Sequence, residues 1–296
     1  MKLNLHKPIL ATIIASTVFF TGLANAGPYH AVKLDKVLAS QPDKTKSRYD
    51  ARHPQQTLAF FEIKPGMTVL EALPGGGWYS KLLLPYLGTK GTLIGVDYAI
   101  DMYPKFGFFS KEDLKKKETW VNDWTEKAKG WKIDGWEIEE YANIKAYNFG
   151  SVSDDLKGKV DAVVFIRALH NLAKFESDGG YLTTALSDAY NALKPGGILG
   201  VVQHQIPESA DDKGANGSRG YLKKSFLISA MEKSGFEFVA SSDINLNPKD
   251  KPSAKDIVWR LPPSFATSGK DEKKKAGYKA VGESNRMTLK FRKPMK

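Results

Sequence analysis

Met67-Thr-Val-Leu-Glu71-Ala-Leu-Pro-Gly75-Gly-Gly77-Trp-Tyr-Ser80 joins a short apolar run, a carboxylate and three glycines to a new periodicity at Trp78, Leu82 and Leu83. The order reads as strand, tight turn and helix, the helix covering roughly residues 77 to 87. Gly75, Gly76 and Gly77 permit close backbone approach, so a ligand can lie on the main chain at the helix start. In open α/β sheets such a bend, at the carboxyl end of a central strand, is where nucleotides bind. A second strand, Thr92 to Asp97, ends in another carboxylate about twenty residues past Gly77. An acidic side chain there can accept both hydroxyls of a ribose.

Outward from this stretch, strands and helices alternate. Pro85 removes the hydrogen bond to Lys81 and is expected to distort the end of the first helix. Further strands are expected at Ile144–Phe149, Asp161–Ile166, Ile198–Gln203, Phe236–Ser241 and Arg286–Arg292. The run at Asp161 is almost continuously apolar, as for a strand buried on both faces. Helices are expected over residues 180 to 193, stopped by Lys194-Pro-Gly-Gly197, and over residues 221 to 234. One α/β domain spanning residues 27–296 accounts for this order. It has a helical lead-in at 27–62, an insertion or lid at 98–141 and a long loop at 243–284.

Residues 1–26 have a basic start at Lys2 and Lys7, an apolar stretch from Ile9 to Leu23 and the small-x-small site Ala24-Asn-Ala26. This is the pattern of a cleavable signal peptide, so a periplasmic or secreted protein is expected. No later segment reaches membrane-spanning length. Losing Lys2 and Lys7 lowers the net charge from +11 to +9, which favours anionic partners. The lysines are dispersed, with one cluster at Lys270 to Lys275, so nothing clearly points to nucleic acid. The chain has no cysteine, which excludes disulfides, thiolate nucleophiles and zinc–cysteine sites. No His/Asp/Glu spacing suggests a metal site, and no Gly-x-Ser-x-Gly elbow suggests a hydrolase.

Other candidate residues lie at strand tips or near them. Asn148 closes the third strand, Arg167-Ala-Leu-His170-Asn171 follows the fourth, and His204 follows the fifth. Arg48, Arg52 and His53 in the lead-in either fold over the pocket or cap and solvate a helix beginning at Pro54. The insertion carries Trp120, Trp124, Trp131 and Trp136 and is either a lid or a helix packed on the sheet.

The order of parts resembles the class I S-adenosylmethionine-dependent methyltransferases. Glu71-x-x-x-Gly75-x-Gly77 is similar to their glycine motif, Asp97 to their ribose acid, and Lys194-Pro-Gly-Gly197 to the turn before their fifth strand. Arg52-His-Pro54, Pro74-Gly-Gly-Gly-Trp-Tyr79, His170-Asn171 and Leu289-Lys-Phe-Arg-Lys-Pro294 more narrowly resemble a family of predicted bacterial methyltransferases, many with export signals. The resemblance implies a doubly wound, mostly parallel, seven-stranded Rossmann-like sheet with an antiparallel C-terminal strand. It also implies S-adenosylmethionine as cofactor and methyl transfer to a small-molecule substrate. Glu71 and the glycines would hold the methionine part, Asp97 the ribose and Asn148 the adenine edge. His170 would be the first candidate base and His204 a secondary one, with Asn171 and Arg167 orienting an acidic or carbonyl substrate. His170 has the plain alternative of capping a helix. Leu73 departs from the pattern, standing where the broad motif has glycine; an ordinary backbone conformation is expected there. S-adenosylmethionine is made in the cytoplasm, so export raises a second possibility. That alternative is an exported non-catalytic binding protein for a nucleoside-like or acidic ligand.

Overall fold

The computed structural model describes residues 28–296 apart from 132, 134, 138, 139 and 254. The expected signal peptide lies outside these residues. Seven strands form one sheet: β1 (Thr68–Ala72), β2 (Thr92–Asp97), β3 (Asn143–Asn148), β4 (Val160–Ile166), β5 (Leu193–His204), β6 (Glu237–Ser242) and β7 (Arg286–Arg292). Their spatial order is β3-β2-β1-β4-β5-β7-β6. The first five pair in parallel, and β7 runs antiparallel to both β5 and β6. The architecture is therefore the mixed, mostly parallel α/β sheet expected from the sequence. Strand order reverses between β1 and β4, which sets a topological switch point at their carboxyl ends.

Side chains alternate across the sheet and both faces are buried, so the central strands read as unbroken apolar runs. Leu70, Ile94, Val163, Phe165 and Leu199 point into one core layer. Val69, Leu93, Ala162, Val164 and Ile198 point into the other.

The lead-in supplies α1 (Pro28–Ala39), α2 (Asp43–Lys46), α3 (Tyr49–Arg52) and α4 (Pro54–Phe60). Pro54 occupies the first turn of α4, where its missing N–H costs nothing. The helix after the glycine bend, α5 (Ser80–Leu87), carries Pro85 through to its end. The Lys81 carbonyl that Pro85 cannot serve accepts instead from Gln41 Nε2 at 3.2 Å.

In the 98–141 segment, α6 (Lys111–Glu118) precedes α7 (Trp120–Lys129). Trp120 and Trp124 stack at 5.7 Å, and the Trp124 ring fills the space above Gly95 of β2, where a Cβ would stand 2.7 Å from it. This half of the segment is a helix packed on the sheet. The half before it, with Tyr103, Phe106, Phe108 and Phe109, walls a cleft. Beyond β4 come α8 (Leu169–Lys174), α9 (Glu176–Gly179), α10 (Tyr181–Ala192) and α11 (Lys224–Lys233). The 243–284 stretch is not all loop: it holds a short 3-10 turn at Val258–Arg260 and α12 (Glu272–Val281). Lys273 and Lys274 stand exposed on α12, away from the cleft lining. Among the described residues no helix is long and apolar enough to cross a membrane.

Candidate functional site

A cavity of about 890 Å³ opens at the carboxyl ends of β1, β2, β4 and β5. Glu71, Gly75, Gly76 and Asp97 line it together with Arg167, His170, Asn171 and His204. Parallel pairing brings the acids to one place, since Glu71 lies opposite Gly95 and Asp97 follows two residues later on the neighbouring strand.

The bend after β1 corrects one expectation. Leu73 does not take an ordinary conformation; its φ is +52°, in the left-handed region. Its N–H donates to Val96 O at 2.7 Å and its side chain packs on the core, and these interactions hold it there. The strain for a non-glycine residue is about 1–2 kcal/mol. The glycine-like turn is thus kept without the glycine. A second correction concerns Gly77, which does not line the cleft. A Cβ there would fall 2.0 Å from the Trp131 ring, and the φ of +74° also favours glycine, so its bareness makes room for that ring.

Ser80 Oγ donates to Glu71 Oε2 at 2.6 Å. Burial pushes the Glu71 carboxyl up to about 7, and the Ser80 hydroxyl and N–H offset only part of this. Burial likewise raises Asp97, offset by the Tyr98 N–H that its Oδ1 accepts at 2.9 Å and by the Lys117 charge. Asn148 is not a lining residue: its Nδ2 donates to the Tyr98 carbonyl at 2.8 Å, so it braces the wall from behind. Asn171 Nδ2 donates to the Tyr98 hydroxyl, also at 2.8 Å. The two asparagines pin one tyrosine from opposite ends.

His170 enters the cleft from the first turn of α8 and is buried. Burial pushes it down to about 4, and the Arg167 charge acts the same way. Gln203 Nε2 donates to Gly220 O at 3.0 Å, which turns the same nitrogen toward His170 Nδ1 at 3.4 Å. That assigns Nδ1 as acceptor and leaves the proton on Nε2. His170, the first candidate base, is therefore neutral here and presents Nε2–H as a hydrogen-bond donor. Burial also lowers His204 well below the usual range, with the neighbouring His170 and Arg167 acting the same way; its Nδ1 meets Ser284 Oγ at 2.6 Å.

The most charged wall comes from residues far apart in the chain. Arg48 and Arg52 do fold over the cleft, while His53 lies outside its lining at φ +41°. The Arg52 guanidinium lies 4.6 Å from the centre of the Trp78 ring. Arg48 Nη1, Arg52 Nε and Arg286 Nη1 reach the Glu283 carboxylate at 3.0, 3.1 and 3.2 Å, and Arg167 Nη1 stands 3.9 Å away. Burial would raise Glu283, but Arg52, Arg286, Arg167 and Arg48 together hold it below its usual value. Burial, then the Arg167 charge, brings Arg52 down to about 10, still cationic at neutral pH. Glu283, Trp259 and the aromatic wall carry no local signature in the sequence. The four-residue spacing of Arg48 and Arg52 is the one hint that they share a face.

The cavity has the size of a drug-sized ligand's pocket. It places two carboxylates and a bare backbone bend where an adenosyl cofactor needs acceptors and close approach, so the residues present fit such a group. Among the described residues no group of His, Asp or Glu is placed to hold a metal ion.

No protein-family model matches the chain, and no curated protein matches it. Solved structures do. A methyltransferase dependent on S-adenosylmethionine from Aquifex aeolicus is 16% identical, covering 89% of this chain and 98% of its own, with a TM-score of 0.46. An arsenic(III) S-adenosylmethionine methyltransferase from Chlamydomonas reinhardtii is 15% identical, covering 88% and 73%, with a TM-score of 0.42. A methyltransferase of the same dependence from Methanosarcina mazei is 12% identical, covering 79% and 95%, with a TM-score of 0.42. At such distances these likenesses carry no part of the functional reading, which stands on the cleft and the strand order.

Proposed function

We propose that the protein is a methyltransferase that uses S-adenosylmethionine to methylate a small-molecule acceptor, and that it acts in the periplasm or outside the cell. One observation carries this reading: Glu71, Asp97 and the Gly75–Gly76 bend line a single cavity at the switch point of the sheet. Asp97 would accept the ribose hydroxyls, Glu71 the amino group of the methionine part, and the bend the backbone of that part. Bound there, the cofactor would supply an activated methyl group on a sulfonium.

The chain's own residues would supply alignment and exclusion of water. Methyl transfer asks mainly for a nucleophile held in line, which is worth far more than proton handling when the acceptor is already ionised. His170 Nε2–H would donate to the acceptor, and Asn171 would act through Tyr98, whose hydroxyl it fixes. The loop bearing Trp259 and Pro262–Pro263 covers this end of the cleft.

Titration of the purified protein with S-adenosylmethionine and S-adenosylhomocysteine tests the reading. Micromolar binding, weakened about a hundredfold by Asp97→Ala as two hydrogen bonds to a charged group are lost, is the expected result. Absence of binding by the intact protein would leave the non-catalytic alternative in its place.

A further inference from the structure

Three guanidinium groups that line this cleft, with that of Arg286 behind them, surround one carboxylate, more positive charge than Glu283 can balance. We propose that Arg48 and Arg167 form an oxyanion subsite that docks a carboxylate or phosphate group of the methyl acceptor, with Glu283 as its resident counter-ion and Arg52 behind them. The inference rests on the methyl-transfer reading for the word acceptor; the subsite itself rests on the geometry below.

Burial divides the cluster into a rear and a front. The side chains of Arg286, Glu283 and Arg52 are 3%, 5% and 6% exposed, and these three already tie the lead-in to β7. A structural strut needs nothing more. Arg48 and Arg167 are 29% and 27% exposed and line the cavity. Arg167 reaches Glu283 only at 3.9 Å, so its planar fork of donors is not consumed by that carboxylate. Like charges gathered in a half-buried wall repel unless a further anion joins them.

The cofactor does not remove this surplus. Its carboxylate is outweighed by its ammonium and sulfonium, so it enters with net positive charge. Six cationic and three anionic side chains line the cavity, and two of the three anions, Glu71 and Asp97, are the residues assigned to the cofactor. An anionic acceptor would reduce this excess. Arg167 follows β4 directly and stands three residues before His170, the proposed donor to the acceptor, so the subsite and that donor share one strand tip.

The test uses the full chain in low-salt buffer, titrated calorimetrically with inorganic phosphate and, separately, with benzoate, both without cofactor. We expect saturable binding of at least one anion, weakened about tenfold or more by Arg48→Gln and by Arg167→Gln, as for loss of a charge-assisted hydrogen bond. The tighter of the two anions names the group the acceptor carries. S-adenosylhomocysteine affinity should move less than about threefold in the same variants. Arg48, the more exposed residue, carries the test alone if Arg167→Gln does not fold. Failure of both anions to bind, or binding that both variants leave intact, overturns the subsite. So does a loss of S-adenosylhomocysteine affinity in proportion to the anion's, since the cluster would then hold the cofactor's own carboxylate. Anion binding through Arg48 in a protein that binds no S-adenosylhomocysteine would overturn the methyl-transfer reading and leave the subsite standing.

Discussion

The hydroxyl of Ser80, the first residue of α5, donates to the carboxylate of Glu71, the fourth residue of β1, at 2.6 Å inside a buried pocket. One hydrogen bond therefore ties strand to helix across the glycine bend. It does not cancel the cost of burying a charge, and the carboxyl stays up at about 7.

Ligand binding should register that raised value. A cofactor ammonium needs Glu71 ionised, so below about pH 7 binding must first expel a proton, and affinity should fall by up to roughly tenfold per unit. Above it the affinity should level off. Glu71→Gln should bind more weakly and show no such slope, which calorimetric titration between about pH 5.5 and 8.5 would read.

The same group sets a stability trend. From its ordinary value near 4.5 up to about 7, the folded chain keeps a proton that the unfolded chain releases. Its contribution is full below 4.5 and is lost as pH rises through 7, by on the order of 3 kcal/mol. Glu71→Gln should remove that loss in denaturant melts across the window.

His170 has the opposite sign. Its folded value of about 4 lies below the usual 6.5, so its contribution is full above 6.5 and is lost as pH falls through 4. His170→Gln should soften acid unfolding in that range. Because Gln can also donate to an acceptor, it should retain more turnover than His170→Ala; equal losses in the two variants would argue against a donor role.

Glu283→Gln strips four arginines of their counter-ion. We expect a loss of about 3–5 kcal/mol, the usual result of leaving buried charge unpaired. Added phosphate should restore part of it, more than the same concentration of chloride, in thermal melts.

Gln41→Ala leaves the Lys81 carbonyl without its 3.2 Å donor at the helix turn that Pro85 interrupts. A loss of about 1–2 kcal/mol with unchanged cofactor affinity is expected, measured by denaturant unfolding and titration.

The strands at residues 68–72, 92–97, 160–166 and 286–292 were legible because each writes its burial into neighbouring residues. A strand covered on both faces must be apolar throughout, and β7, antiparallel between two neighbours, alternates. The two acids were legible for a similar reason: each sits at a fixed distance from a glycine turn, and parallel pairing then carries both to one edge. Gly77 misled because bareness has two uses, ligand approach and packing, and only the position of the Trp131 ring separates them. Leu73 misled because a residue's preference loses to the hydrogen bond and core contact that hold its backbone.

The sequence by itself determined the alternating architecture and the pair of carboxylates at strand tips, both of which depend on short-range pattern, while the strand order that makes a switch point came only from the folded sheet. Tertiary structure alone decided the electrostatics of the cleft. Arg48, Arg167 and Glu283 stand more than a hundred residues from one another, so nothing local announces their meeting. The depth of His170 and Glu71 was equally invisible in the chain, and desolvation at that depth sets which proton each one holds.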